Sequence, residues 1–81
     1  MDYNELVPKI MEMIGTEKNV KSLVHCSTRL RFKLFNMSNV NIDKLKNTAG
    51  IAGVKVQSDG VHLIIGQDVD VAYDAIIKNY T

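Results

Sequence analysis

From Arg29 to Leu34 the chain alternates without a break: Leu30, Phe32 and Leu34 are apolar, and Arg29, Arg31 and Lys33 are cationic. Successive side chains of an extended strand point to opposite faces, so this run through Phe35 has one apolar face and one charged face. Such a strand belongs in a sheet that is covered on one side only. The preceding run, Val20 to His25, is short and β-rich. The two are separated by Cys26-Ser27-Thr28, which reads as the tip of a hairpin. A second hairpin is signalled by Val54–Ser58 and Val61–Ile65 flanking Asp59-Gly60, a favoured two-residue turn. That turn sets Ser58 opposite Val61, Val56 opposite Leu63 and Val54 opposite Ile65 on one face. Lys55, Gln57, His62 and Ile64 share the other.

Helical spacing accounts for the rest. Leu6, Ile10, Met13 and Ile14 form a stripe that predicts a helix over about residues 4–14, with Asp2 and Glu5 as a capping pair and Gly15 as its stop. Pro8 is expected in the first turn or at a slight bend. Residues 15–19 read as a polar connector. A short second helix follows the cap-rich segment 38–41, with Leu45 as its anchor and Gly50 closing it. In the third, Asp68 is the expected N-cap, and Val69, Ala72, Tyr73, Ile76, Ile77 and Tyr80 trace the apolar stripe. Met11, Met13 and Met37 read as core and edge filler. The predicted class is α+β: a four-stranded antiparallel sheet of two hairpins with three helices on one face, in the order α-β-β-α-β-β-α. Residues 1–81 read as a single domain. The open face would carry Arg31, Lys33, Lys55 and His62.

Composition excludes several functions. A net charge of +1 gives no field that would draw nucleic acid or an anionic membrane. One cysteine rules out an internal disulfide and a multi-cysteine metal cage, and no metal or cofactor is expected. No apolar run reaches the roughly 20 residues needed to span a bilayer, and the acidic, polar start is not a signal peptide. The reading is a cytoplasmic module.

The chemistry concentrates in His25-Cys26-Ser27-Thr28-Arg29-Leu30-Arg31-Phe32. The thiolate is the nucleophilic form of cysteine, and nearby arginines favour it. Arginines also grip phosphoryl oxygens in pairs, and consecutive N–H groups at a turn form an anion-binding nest. The segment therefore points to a cysteine that becomes phosphorylated, with Arg29, Arg31, Thr28 and Ser27 around the phosphoryl group. A lone cysteine is more often an inert small hydrophobe, and alternating arginines are usually a solvated face; their adjacency is what favours the reactive reading. Thr28 either shapes the turn through its hydroxyl or donates to the phosphoryl group. His25 should point away from Cys26, because neighbouring strand residues face opposite ways. His62 reads as a surface strand residue, and nothing places the start of the third helix near Cys26.

Residues 21–32, Lys-Ser-Leu-Val-His-Cys-Ser-Thr-Arg-Leu-Arg-Phe, resemble the IIB domain of a sugar phosphotransferase-system permease of the glucose and sucrose/β-glucoside superfamily. Gly50-Ile51-Ala52-Gly53-Val54 and Ile64-Ile65-Gly66-Gln67-Asp68-Val69 support the match, which covers about residues 3–80. Gln67 stands where proline is frequent. The resemblance implies a protein-phosphocysteine–sugar phosphotransferase: a IIA domain's phosphohistidine charges Cys26, which passes the group to a sugar held by a membrane-embedded IIC domain. The implied location is the cytoplasmic side of the permease. With Met1 close to the first helix, the domain is expected to open its polypeptide, and an end at Thr81 implies a piece of something longer. Two alternatives stand beside this one. One is a regulatory module whose phosphocysteine is read by a transcriptional antiterminator; the other is a redox or non-catalytic α/β binding domain with an incidental cysteine.

Overall fold

The computed structural model describes residues 2–80; Met1 and Thr81, on which the expectations about the chain ends fall, lie outside the described residues. The elements are α1 (Tyr3–Met13), β1 (Val20–His25), β2 (Arg29–Leu34), α2 (Ile42–Lys46), β3 (Gly53–Gln57), β4 (Gly60–Ile64) and α3 (Val69–Tyr80), with 3-10 turns at Glu17–Asn19 and Met37–Asn39. The strands lie in the order β1-β2-β4-β3, every neighbouring pair antiparallel. Two hairpins are thus joined side by side through β2 and β4. Leu30, Phe32 and Leu34 of β2 and Val61 and Leu63 of β4 are buried together with Leu6 and Ile10 of α1, Leu45 of α2, and Val69, Ala72 and Ile76 of α3. The helices cover this one face, as the alternation requires, and the α+β class stands.

Local chemistry fixes the ends of α1. Asp2 caps it, its carboxylate accepting from the Asn4 N–H at 2.9 Å. Pro8 sits inside the helix, a turn later than expected. It has no N–H for the Asn4 carbonyl, and both residues are exposed, so the missing helical bond falls at the surface and not in the core. At the other end Gly15 adopts φ 96°, its N–H bonding Glu12 and that of Thr16 bonding Met11, the Schellman arrangement. The polar connector hides a structural residue. Asn19 is buried; its Nδ2 donates to the carbonyls of Ile14 (2.7 Å) and Asn36 (2.9 Å), and its Oδ1 accepts from the Asn36 N–H. One side chain thereby ties the end of α1 to the exit of β2.

Three details depart from expectation. The second hairpin turns on Ser58-Asp59, so Val56 pairs with Val61 and Val54 with Leu63. Gly60 is needed in the strand, since a Cβ there would stand 1.9 Å from the Phe32 carbonyl oxygen. The shift is by two positions in the pairing, which preserves which residues share a face. α2 is short as expected, spanning five residues around the buried Leu45, but Val56, on the helix side by parity, stays exposed at the β3 edge. β2 ends at Leu34, and Phe35 is exposed.

Candidate functional site

Three cross-strand rows build the open face. Arg29 of β2 lies opposite Ile64 of β4, which lies opposite Gly53 of β3. In the next row Val24, Arg31, His62 and Lys55 follow one another from β1 to β3. Ser22, Lys33, Gly60 and Gln57 form the third. Cys26 lies just beyond β1, level with Arg29, to whose carbonyl its N–H donates at 3.0 Å. The thiol is half-buried and free.

The Cys26–Thr28 turn is held from two sides. The His25 Nδ1 lies 3.0 Å from the Cys26 carbonyl; a carbonyl only accepts, so that nitrogen carries the proton. The His25 ring packs against Tyr73 of α3 with centroids 4.6 Å apart, on the helix side of the sheet and away from the thiol, as parity predicts. From the other side, the Thr28 carbonyl accepts from the N–H groups of both Ile65 (2.8 Å) and Gly66 (3.0 Å). This pair of hydrogen bonds from the loop before α3 brings that loop against the cysteine turn, a contact the sequence does not announce.

The amide of Thr28 and then that of Arg29 hold the Cys26 thiol below its ordinary pKa; burial opposes them, and the Arg31 guanidinium adds smaller lowerings by charge and hydrogen bond. The thiolate is therefore cradled mainly by backbone, as in an anion nest. The two arginines are not equivalent. Arg31 brings its side chain to the sulfur, whereas Arg29 brings its amide. Ser27 and Thr28 are exposed at the apex. Thr28 acts on the thiol through its main chain, by an N–H toward sulfur and a carbonyl that anchors the loop.

Comparison with known proteins is consistent with this geometry. Residues 9–41 match the family model described as "phosphotransferase system, EIIB". The chain is 35% identical over 79 residues to the β-glucoside-specific EIIBCA component of the phosphotransferase system of Bacillus subtilis (strain 168), covering 98% of this chain and 13% of that protein. It is 38% identical over 78 residues to the β-glucoside-specific EIIBCA component of Dickeya chrysanthemi, covering 96% of this chain and 12% of the relative. A crystal structure of one domain of the phosphotransferase system IIabc component from Clostridium difficile superposes with a TM-score of 0.86 at 29% identity, covering 95% of this chain and 81% of that one. This chain belongs to the EIIB family of the phosphotransferase system.

The EIIB chain spans about an eighth of the length of the curated relatives it matches. Among its described residues, no helix is long and apolar enough to cross a membrane. Two features of the EIIB site escape a reading of the sequence. His62, expected at the surface, has a buried Nδ1 with no hydrogen-bond partner, and burial, Arg31 and Arg29 in that order lower its pKa. The strand order reveals it, because β4 lies beside β2 and puts His62 directly opposite Arg31. The second is Asp68. Its carbonyl starts α3 as a cap should, accepting from Val71 and Ala72, but its carboxylate meets the Tyr3 hydroxyl and, after burial, raises that phenol's pKa.

Proposed function

We propose that this domain, spanning residues 1–81, is the phosphoryl relay of a sugar permease and works on its cytoplasmic side. A phosphohistidine on a IIA domain would charge Cys26: the thiolate attacks phosphorus, the P–N bond breaks and the histidine leaves. A hydroxyl of a sugar held by a IIC domain then attacks phosphorus, and the S–P bond breaks to regenerate the thiolate. The observation that carries this reading is a free cysteine at the hairpin tip, level with Arg29, whose thiol the Thr28 and Arg29 amides and Arg31 hold below its ordinary pKa. Phosphoryl transfer has a loose transition state, so positioning and neutralisation of the oxygens do most of the work. Donors that stabilise a thiolate also favour it as leaving group in the second step. Arg29 and Arg31 are assigned to the phosphoryl oxygens, with Ser27 and Thr28 at the apex where the group enters.

A non-catalytic binding domain would have no use for amides aimed at an otherwise incidental sulfur. Signalling to a transcriptional antiterminator would need the same phosphocysteine, and is separated from the relay by whether the label leaves on a sugar. The test is incubation with a phosphorylated IIA domain, followed by addition of a membrane-bound IIC domain and its sugar. Label should pass to Cys26 as an acid-stable, iodine-sensitive thiophosphate and then to sugar. Label that fails to appear, or that persists in Cys26→Ser, rejects the relay.

A further inference from the structure

His62 is half-buried on β4, yet its Nδ1 is shut away from water and bonded to nothing. A desolvated ring nitrogen without a partner is a standing cost unless some state of the protein uses it. The surroundings show which kind of group would use it. Arg31 is its register partner on β2, Arg29 and Lys33 flank that position on the same strand, and Lys55 is its register partner on β3. Asp59, in the β3–β4 turn, shares with His62 and Arg31 a groove of about 450 Å³ and is the one acidic group lining it among the described residues. The helices pack on the opposite face. Cations thus predominate around the ring, and burial, then Arg31 and Arg29, hold its pKa below the ordinary imidazole value.

We propose that His62 is a proton-switched ligand of the phosphoryl group on Cys26, taking up a proton from solvent when Cys26 is phosphorylated and donating it from Nδ1 to a non-bridging oxygen. The reasoning rests on the relay reading. Arg31 both acts on the Cys26 thiol and pairs in register with His62, so a phosphoryl group on Cys26 would bring two negative charges to offset the two guanidinium charges that oppose imidazole protonation. The buried nitrogen then gains both a proton and an acceptor. Phosphorylation and proton uptake are linked, and linkage is reciprocal: lowering the pH strengthens the hold on the phosphoryl group. His25 is excluded from this role, since its Nδ1 is committed to the Cys26 carbonyl and its ring to Tyr73.

The test installs phosphocysteine without a donor protein, by adding thiophosphate across a dehydroalanine made at position 26 and isolating the L epimer. Ring nitrogen resonances of His62 are then titrated in the free-thiol and phosphorylated proteins. The His62 proton affinity should rise about tenfold on phosphorylation, about one pKa unit. The phosphorus resonance should titrate in step with His62, and in His62→Gln that step should vanish while the phosphate's own titration remains. A His62 pKa unmoved by the phosphoryl group, or a phosphorus titration identical in His62→Gln, overturns the assignment. Because no IIA domain takes part, such a result leaves the relay standing, whereas failure of a IIA domain to charge Cys26 would strike the relay itself.

Discussion

Replacing Gly60 by alanine tests why the second hairpin turns where it does. The added methyl would stand 1.9 Å from the Phe32 carbonyl oxygen, 3.0 Å from its carbon and 3.1 Å from the Lys33 Cα. Ordinary C···O contacts are about 3.3 Å, so β2 and β4 must part by more than about 1 Å. All three obstacles are backbone, and no rotamer relieves them. Separation breaks the Leu34 N–H to Asp59 bond of 2.8 Å and loosens the adjoining end of the β2–β4 ladder. Two hydrogen bonds at roughly 1 kcal/mol each and an overpacking cost of roughly 1–3 kcal/mol give a loss of about 3–5 kcal/mol. Urea denaturation followed by far-ultraviolet circular dichroism measures it, and a Tm at least about 12 °C lower should accompany it. Gly53→Ala is the internal control: there the nearest atom is the flexible Ile64 Cδ1 at 3.1 Å, and the cost should stay below about 1 kcal/mol. A loss under about 1 kcal/mol for Gly60→Ala would refute the close-approach argument.

Asn19→Ala strands the main-chain partners Ile14 and Asn36 at a buried junction and should cost about 3 kcal/mol in the same denaturation assay. Arg31→Lys should raise the Cys26 thiol pKa, read from alkylation rate against pH, while Arg29→Lys should leave it nearly in place, because Arg29 acts on sulfur through its amide. In transfer assays both variants should lose more in delivery to sugar than in charging of Cys26, and equal losses in both half-reactions would contradict this. The unaltered protein should be alkylated with an apparent pKa below the ordinary cysteine value of about 8.5, the direction in which the turn holds the thiol. Since the folded thiol's pKa is depressed, its stabilising contribution is complete above the unfolded thiol's pKa and is lost as pH falls through the folded one. A normal or raised thiol pKa would count against the cradle.

Local patterns made much of this fold legible. Alternation from Arg29 to Leu34 specified β2 and its two faces, and the stripe from Val69 to Tyr80 matches α3. Cys26, Ser27 and Thr28 occupy the hairpin tip read from the sequence. What stayed hidden depends on contacts distant in sequence. Asp59-Gly60 looked like the turn because glycine tolerates turn geometry, whereas Gly60 is required by the approach of Phe32 from another hairpin. The bond from Gly66 to Thr28 and the pairing of His62 with Arg31 both follow from placing β4 beside β2, which no local signal encodes. The arginines looked interchangeable by parity. In the folded turn Arg31 lowers the thiol's pKa through its side chain and Arg29 through its backbone.

Phosphorus NMR of the domain mixed with phosphorylated IIA, recorded with amide spectra, puts the cradle and the relay to the same trial. The account predicts one S-phosphoryl resonance, absent in Cys26→Ser, and downfield movement of the Thr28 and Arg29 amide protons as they take up phosphoryl oxygens. A phosphoryl signal on a nitrogen of this domain rather than of the IIA donor, or an S-phosphoryl signal that leaves both amides unmoved, would contradict it.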